Sequence, residues 1–430
     1  MNMPFGRLPP PLPPEALQRP TGPARIPRAV PPPIPEAALR TRKPTPLAVE
    51  QGLKPFTLRV GEATHASKDH PERNEDAAFY SAARGLGFVA DGMGGVPAGE
   101  LASGVAASIL TRESLADLEN SAPTGVDKKA MQLVRRVFDA DTNTPLTQDA
   151  VEVATHELLS VMNDQIEQKV QKSDAALDRT AEYLYQEKKI RNPIDSTTGK
   201  VNRSRLSLSE QEYIKSVASA IGTTASLSKI WRDKEGKPFA TLGNIGDSRT
   251  YILRKGELIQ LTEDHSPLTT LKRLGIHDIN NIPLSDEEGT EQRIKKSVLI
   301  ELADAHPELR FAATKAVGID GDTVELRTIR NIITGALGNA SLNKRLNGIA
   351  FEPYISTHAL QEGDLLVSCT DGLIDNRKRS RMKEIANLYR HQGPEAVAKA
   401  LADEAYHASL QPDGKKDDIR VVATEIRFAN

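Results

Sequence analysis

Two strand-length apolar runs, Ala77–Tyr80 and Leu86–Ala90, are separated by a short polar stretch with Arg84-Gly85 at its tip, and an aspartate closes each outer end. Asp76 precedes the first run and Asp91 follows the second. Runs of this length around a glycine-containing turn predict a β-hairpin. In an antiparallel hairpin the residue before the first strand and the residue after the second lie side by side. Two carboxylates held there repel unless a cation or a proton sits between them. The chain continues Gly92-Met93-Gly94-Gly95, a backbone with little side-chain bulk that lets a ligand approach closely. The pattern predicts a divalent-metal site at the open end of a hairpin.

The rest of the composition narrows the setting. At 430 residues the chain has room for one large domain with insertions, or for two. Lys plus Arg number 56 and Asp plus Glu 58, so no strong basic field favours nucleic acid as a partner. No apolar run approaches the roughly 20 residues that span a bilayer, and the N-terminus lacks the apolar stretch of a secretory signal. Cys369 is the only cysteine, which excludes an internal disulfide and a cysteine-based zinc site. A reducing, cytoplasmic compartment is the expectation.

Residues 1–53 form a separate block that holds most of the prolines, and proline without apolar periodicity builds no core. A disordered or polyproline-II tail is expected there. Arg7-Leu8-Pro9-Pro10-Pro11-Leu12-Pro13 fits the basic-x-x-Pro-x-x-Pro form that SH3-like grooves accept. Residues 54–430 read as one domain. The alternating Phe56–Val60 opens it, and Leu101, Val105 and Ile109 at four-residue spacing predict a helix over Ala98–Leu110. A second helix is expected within Thr147–Val170. The segment near 173–205 is polar and reads as a surface insertion. Strands are predicted at Thr223–Trp231, Phe239–Ile245, Arg249–Leu253, Leu258–Leu261 and Asp364–Cys369, and a last one at Ile419–Phe428. Helices are predicted at Arg381–Tyr389 and Pro394–Leu410. Strands, then helices, then strands imply an α+β domain in which helices cover sheets.

The strand-end logic repeats in the second half. The apolar run Leu365–Cys369 enters Thr370-Asp371-Gly372, and Asp417-Asp418 precedes the last strand. If those strands pair antiparallel, Asp371 and Asp417 meet at one edge. Aspartate beside glycine is ordinary turn chemistry taken singly. Two strand-end pairs of the same layout carry more weight. Oxygen-only ligands favour Mg²⁺ or Mn²⁺, and two such ions can hold a bridging hydroxide in line for attack on phosphorus.

The motifs occur in a definite order. Arg73-Asn74-Glu75-Asp76 is followed by Val89-Ala90-Asp91-Gly92-Met93-Gly94-Gly95 and Ile221-Gly222-Thr223-Thr224-Ala225. Gly243-Asn244-Ile245-Gly246-Asp247-Ser248-Arg249, Leu261-Thr262-Glu263-Asp264-His265-Ser266, Thr370-Asp371-Gly372-Leu373 and Asp417-Asp418-Ile419-Arg420-Val421-Val422 complete the series. This series resembles the metal-dependent serine/threonine protein phosphatases of the type-2C (PPM) family in its bacterial form, over roughly residues 56–430. The resemblance implies a four-layer α/β/β/α sandwich of two antiparallel sheets flanked by helices, with two Mg²⁺ or Mn²⁺ ions at one edge. It implies a phosphoric monoester hydrolase acting on phosphoserine or phosphothreonine in proteins. By motif position Asp76, Asp91, the Gly92 carbonyl, Asp371 and Asp417 hold the metals, with Asp91 bridging, and Glu75 acts through water. Gly243, Gly246, Asp247 and His265 belong to the scaffold beneath the site.

The chain departs from the family in three places. The family's phosphate-binding arginine has Pro71 in its place, which leaves Arg73 as the arginine of that loop to bind phosphate, with His70 as the other donor. Val217-Ala218-Ser219-Ala220-Ile221 supplies no acid for a third metal before Gly222. Met93 stands where eukaryotic relatives carry a histidine, so leaving-group protonation falls to metal-bound water. The long segment near 267–331 coincides with the family's flap beside the active site, and Asp320-Gly321-Asp322 within it reads as an acidic turn. Two other functions fit the same residues: a degenerate phosphatase fold that binds partners without turnover, and a two-metal hydrolase of another phosphoester.

Overall fold

The structure is a computed structural model that describes residues 56–428 apart from 94–97, 121–127, 285–291, 330–331, 341 and 343–351. The proline-rich tail, its SH3-type motif and Gly94-Gly95 lie outside the described residues.

The chain enters through strand β1 (Phe56–His65) and makes the hairpin β2 (Asp76–Ser81) and β3 (Leu86–Met93). Among the described residues six helices follow: α1 (Gly99–Ser108), α2 (Arg112–Asn120), α3 (Lys128–Asp139), α4 (Gln148–Lys169), α5 (Asp174–Gln186) and α6 (Leu208–Ala218). Short β4 (Gly222–Thr223) leads to β5 (Ala225–Arg232), β6 (Pro238–Ile245), β7 (Arg249–Arg254) and β8 (Glu257–Gln260). A small subdomain then carries α7 (Pro267–Arg273), β9 (Arg293–Lys295), α8 (Lys296–Leu302), α9 (Arg310–Val317), β10 (Thr323–Glu325) and α10 (Leu326–Ile329). The chain returns through β11 (Tyr354–Ala359) and β12 (Leu365–Cys369), then α11 (Asp371–Ile374), α12 (Arg379–Tyr389) and α13 (Pro394–Ser409). It closes with β13 (Ile419–Phe428).

Among the described residues two large antiparallel sheets result, one in the order β1-β13-β12-β7-β8 and the other β11-β6-β5-β3-β2, with β4 added to β3, and β9 and β10 pair separately. The central strands of the two large sheets are buried on both faces, so alternate side chains serve different layers. In β5, Ala225, Leu227 and Trp231 face the core made with α1–α6, whereas Ile230 joins Phe56, Leu242, Ile252, Leu366 and Ile426 between the sheets. In β13, Ile419, Val421 and Ala423 pack under α12 and α13 with Leu401 and Ala405. These three cores make the four-layer α/β/β/α sandwich.

The helix and strand expectations hold with small shifts at the ends. The Thr147 hydroxyl caps α4 by accepting from Ala150 N–H, and Lys255-Gly256 makes the β7–β8 turn with both φ angles positive. Several elements are not legible in the sequence, helices α2, α3 and α6 among them. Strand β11 is half-exposed along its length and shows no apolar run, because it lies at a sheet edge. The polar segment near 173–205 differs from a plain surface loop: α5 lies in it, capped by Ser173, and Ala176, Leu177, Ala181 and Leu184 are buried. The segment near 267–331 has an apolar core of its own, built by Leu268, Leu271, Leu299, Leu309, Val324 and Ile329.

Candidate metal centre

The β2–β3 register places Asp76 directly opposite Asp91. The second pair of acids arrives from the other sheet. β12 pairs antiparallel with β13, Cys369 opposite Val421, so Asp371 at the start of α11 and Asp417 just before β13 emerge at one edge. A hydrogen bond joins the two halves: the buried Thr370 hydroxyl donates to Asp76 Oδ2 at 2.7 Å and accepts from Arg420 N–H at 2.9 Å. Arg420 also donates to the Asp76 carbonyl at 3.0 Å.

Hydroxyls fill the space between the sheets at this end. Asp91 N–H donates to Thr224 Oγ1 at 2.9 Å, and Thr224 in turn meets Ser248 at 2.7 Å. Ser226 and Thr250 meet at 2.9 Å, and Thr250 and Ser368 at 2.8 Å. Apolar packing at the far end of the sandwich thus gives way to a polar ladder behind the acids, which satisfies buried groups and fixes their positions.

The hairpin's open end is held by close backbone approach. Gly92 N–H donates to the Glu75 carbonyl at 3.0 Å, and a Cβ on Gly92 would lie 2.3 Å from the Gly99 backbone. Helix α1 therefore starts directly against the predicted carbonyl ligand. The loop before Asp76 is tied to the last strand by Asp418, whose buried carboxylate accepts from Ser67 N–H at 2.7 Å and from Glu75 N–H at 2.6 Å. Asp418 is a positioning group, and no sequence pattern sets it apart from Asp417.

Burial, and then repulsion from neighbouring carboxylates, pushes Asp76, Asp91 and Asp247 well above the usual carboxylate range, although the Thr370 bond lowers Asp76. Burial also raises Glu75, against the pull of Arg73. Asp76 Oδ1, Asp247 Oδ1 and Asp371 Oδ1 are buried with no hydrogen-bond partner. Orphaned acidic oxygens of this kind suit a hard cation, which removes the repulsion without needing a donor on each oxygen. Among the described residues, no three His, Cys, Asp or Glu side chains converge into a ready-made ligand set. Lys415 Nζ inserts among the acids, against Asp371 Oδ2, 2.9 Å from Asp375 and 3.0 Å from Asp417. No sequence pattern signals this, because a loop lysine is ordinarily solvated.

Arg73 lies 3.3 Å from Glu75 Oε1 and is about a third exposed. His70 Nδ1 bonds the Arg73 carbonyl at 3.0 Å and lies 3.8 Å from Asp418. Burial opposes the charged form of His70, but the Arg73 carbonyl and Asp418 together raise its pKa. His265 is scaffold. Gly246 N–H donates to its Nδ1 at 3.2 Å, so Nε2 carries the proton and donates to the Glu352 carbonyl at 2.8 Å. A cavity of about 470 Å³ runs from Asp371 and Asp247 to the subdomain residues Ser266, Thr269, Lys272 and Arg273. Beside it Arg249 and Asp264 form a forked ion pair at 2.6–3.0 Å.

A family model described as Protein phosphatase 2C matches residues 137–271, and one described as Stage II sporulation protein E matches residues 321–427. These matches show that parts of the chain are similar to the protein phosphatase 2C family, as the ordered motifs lead one to expect. A curated relative, a probable protein phosphatase of Dictyostelium discoideum, is 24% identical over 213 residues, which is 48% of this chain and 18% of the relative. The chain thus spans less than a fifth of that relative's length. Similar solved structures include the serine/threonine phosphatase PstP/Ppp of Mycobacterium tuberculosis, at 21% identity and TM-score 0.43, covering 86% of this chain and 99% of that one. The serine/threonine phosphatase Stp1 of Staphylococcus aureus is similar at 18% identity and TM-score 0.47, covering 86% and 94%. A PstP catalytic domain in complex with two manganese ions is similar at 20% identity and TM-score 0.42, covering 87% and 100%.

Proposed function

We propose that this chain is a metal-dependent protein serine/threonine phosphatase that hydrolyses phosphoserine and phosphothreonine. The observation that carries the reading is that strand-end carboxylates of both sheets lie close enough to repel one another, with buried Asp76 and Asp371 oxygens left without donors. The family match points to the same reaction class.

Asp76, Asp91, the Gly92 carbonyl, Asp371 and Asp417 would hold two Mg²⁺ or Mn²⁺ ions, with Glu75 acting through water. Bound there, the ions supply Lewis acidity toward the phosphoryl group and lower the pKa of water. The protein's part is positional. Thr370 and Thr224 orient Asp76 and Asp91, and the Asp418 clamp fixes the loop that carries Glu75 and Arg73. Arg73, released from Glu75, is the group in that loop whose planar guanidinium fits two phosphate oxygens. The subdomain at 267–331 frames the cavity and is the part of the chain placed to select the peptide around the phosphate. A lone buried thiol at Cys369 suits a reducing, cytoplasmic setting. An SH3-like partner for residues 7–13 rests on their sequence alone.

One observation favours a second reading, a phosphatase fold kept for binding: Lys415 fills part of the acidic centre. A single experiment separates the two. Turnover of a phosphothreonine peptide is measured with Mn²⁺, with EDTA and in Asp91→Asn. The phosphatase reading expects activity that needs metal and falls at least about a hundredfold in the variant, since metal ligands supply several kcal/mol. Full activity in EDTA sinks the metal mechanism; a folded protein with no metal-dependent turnover supports the binding reading.

A further inference from the structure

Lys415 is held in place by its backbone as well as by its charge. It lies in the loop between α13 and β13, where a side chain has no helical or sheet partner to aim it. Asn376, just beyond α11, supplies the aim. Its Oδ1 accepts from Lys415 N–H at 3.0 Å and its Nδ2 donates to the Lys415 carbonyl at 2.9 Å. The same Nδ2 donates to the Gly372 carbonyl at 2.8 Å, which ties the loop to α11 itself. Beside it, a Cβ on Gly372 would fall 1.9 Å from the Asp418 carbonyl, so α11 and the start of β13 are in direct backbone contact. The loop therefore has one seating, and that seating delivers an ammonium to Asp371, Asp375 and Asp417.

Asp371 and Asp417 are two of the groups that the phosphatase reading gives to the metals. An ammonium and a dication cannot share them without strong repulsion at this separation. The Lys415 side chain is about a third exposed, and its flexible stem lets the charge move to solvent while the backbone stays clamped. We propose that Lys415 is a tethered counter-ion of the acidic centre that competes with a divalent ion for the Asp371–Asp417 side. The two cation positions are then unequal. The Asp76–Asp91–Gly92 side fills first, and the Asp371–Asp417 side fills only as the ammonium swings out. Without metal, Lys415 holds together the acids at the adjoining ends of β12 and β13 and stabilises the fold.

This inference rests on the metal-centre reading, and the test keeps the two apart. Mn²⁺ is titrated into the full chain and into Lys415→Met and Lys415→Arg, with bound and free ion counted by electron paramagnetic resonance. The wild type is expected to show two steps. Lys415→Met tightens the weaker step at least about tenfold and leaves the tighter one within about twofold, because it removes the competing charge and keeps most of the stem. Lys415→Arg keeps the charge and stays near wild type. In EDTA, Lys415→Met melts below wild type, and it gains more from saturating Mn²⁺. Lys415→Gln carries the same expectations should the methionine variant not fold. Superimposable titrations of wild type and the neutral variants, with Mn²⁺ bound, overturn the role of Lys415 and leave the metal centre standing. Weaker binding in the neutral variants also overturns it, since the ammonium would then assist the metal. No Mn²⁺ uptake by any form overturns both.

Discussion

Replacing Thr370 by valine tests whether the two sheets are coupled at the acids. Valine has nearly the same shape, so packing is preserved and the change removes one hydroxyl. Two interactions depend on it: the bond to Asp76 Oδ2 at 2.7 Å and the acceptor for Arg420 N–H at 2.9 Å. A hydrogen bond contributes about 0.5–1.5 kcal/mol with a neutral partner and about 1.5–3 with a charged one, and an orphaned buried N–H costs about 1–3. A loss of about 2–4 kcal/mol is expected, large for a single substitution. Thr370→Ser, which keeps the hydroxyl and deletes one buried methyl, should lose only about 1 kcal/mol. The assay is urea unfolding at pH 7 in EDTA, with Asp76→Ala and the double variant completing a cycle whose coupling should be about 1–3 kcal/mol. Because Thr370 is the main group that lowers the Asp76 pKa, its loss raises that pKa further. A proton must then leave before a cation binds, so Mn²⁺ affinity should also fall at neutral pH. If valine and serine are equally stable within about 0.5 kcal/mol, a scale smaller than one typical hydrogen bond, the argument that this hydroxyl couples the sheets is wrong.

Two further substitutions probe the frame around the site. Gly92→Ala puts a Cβ 2.3 Å from the Gly99 backbone and 2.8 Å from the Glu75 carbonyl, neither of which can rotate away. It should cost about 1–3 kcal/mol in denaturant unfolding and weaken Mn²⁺ binding, whereas Gly104→Ala, in open space on α1, should be neutral or up to about 1 kcal/mol stabilising. Equal effects at the two positions would contradict the close-approach argument. Lys229 is fully buried, with Nζ donating to the Arg84 carbonyl at 2.5 Å and the Ala140 carbonyl at 2.8 Å, and burial pushes its pKa down to about 7. Between that value and the unfolded lysine's 10.5, the unfolded chain binds the proton that the folded chain releases. This contribution is therefore complete above about pH 10.5, falls as pH drops toward 7 and levels off below it, a span of roughly 5 kcal/mol. Urea unfolding from pH 7 to 10 should show this slope in wild type and not in Lys229→Met; identical slopes would refute it.

The sequence by itself determined the layers and half of the centre. The run Leu365–Cys369 is apolar at nearly every position, the pattern of a strand buried on both faces, and Ile419–Phe428 has the length and β-branching of a strand. The Asp76–Asp91 pair was equally legible, because a hairpin brings its two ends together through local geometry alone. Edge strand β11 and helix α5 were illegible for the converse reason: their burial is partial, or is created by neighbours far away in the chain. Tertiary structure alone decided how the two acidic pairs meet. It set Thr370 across the sheets onto Asp76, turned Asp418 into the clamp of the loop before Asp76, and used Asn376 to aim Lys415 at Asp371 and Asp417. These contacts span tens to hundreds of residues. Each depends on where a side chain points after the sheets have packed, and neither local propensity nor hydrophobic period encodes that direction.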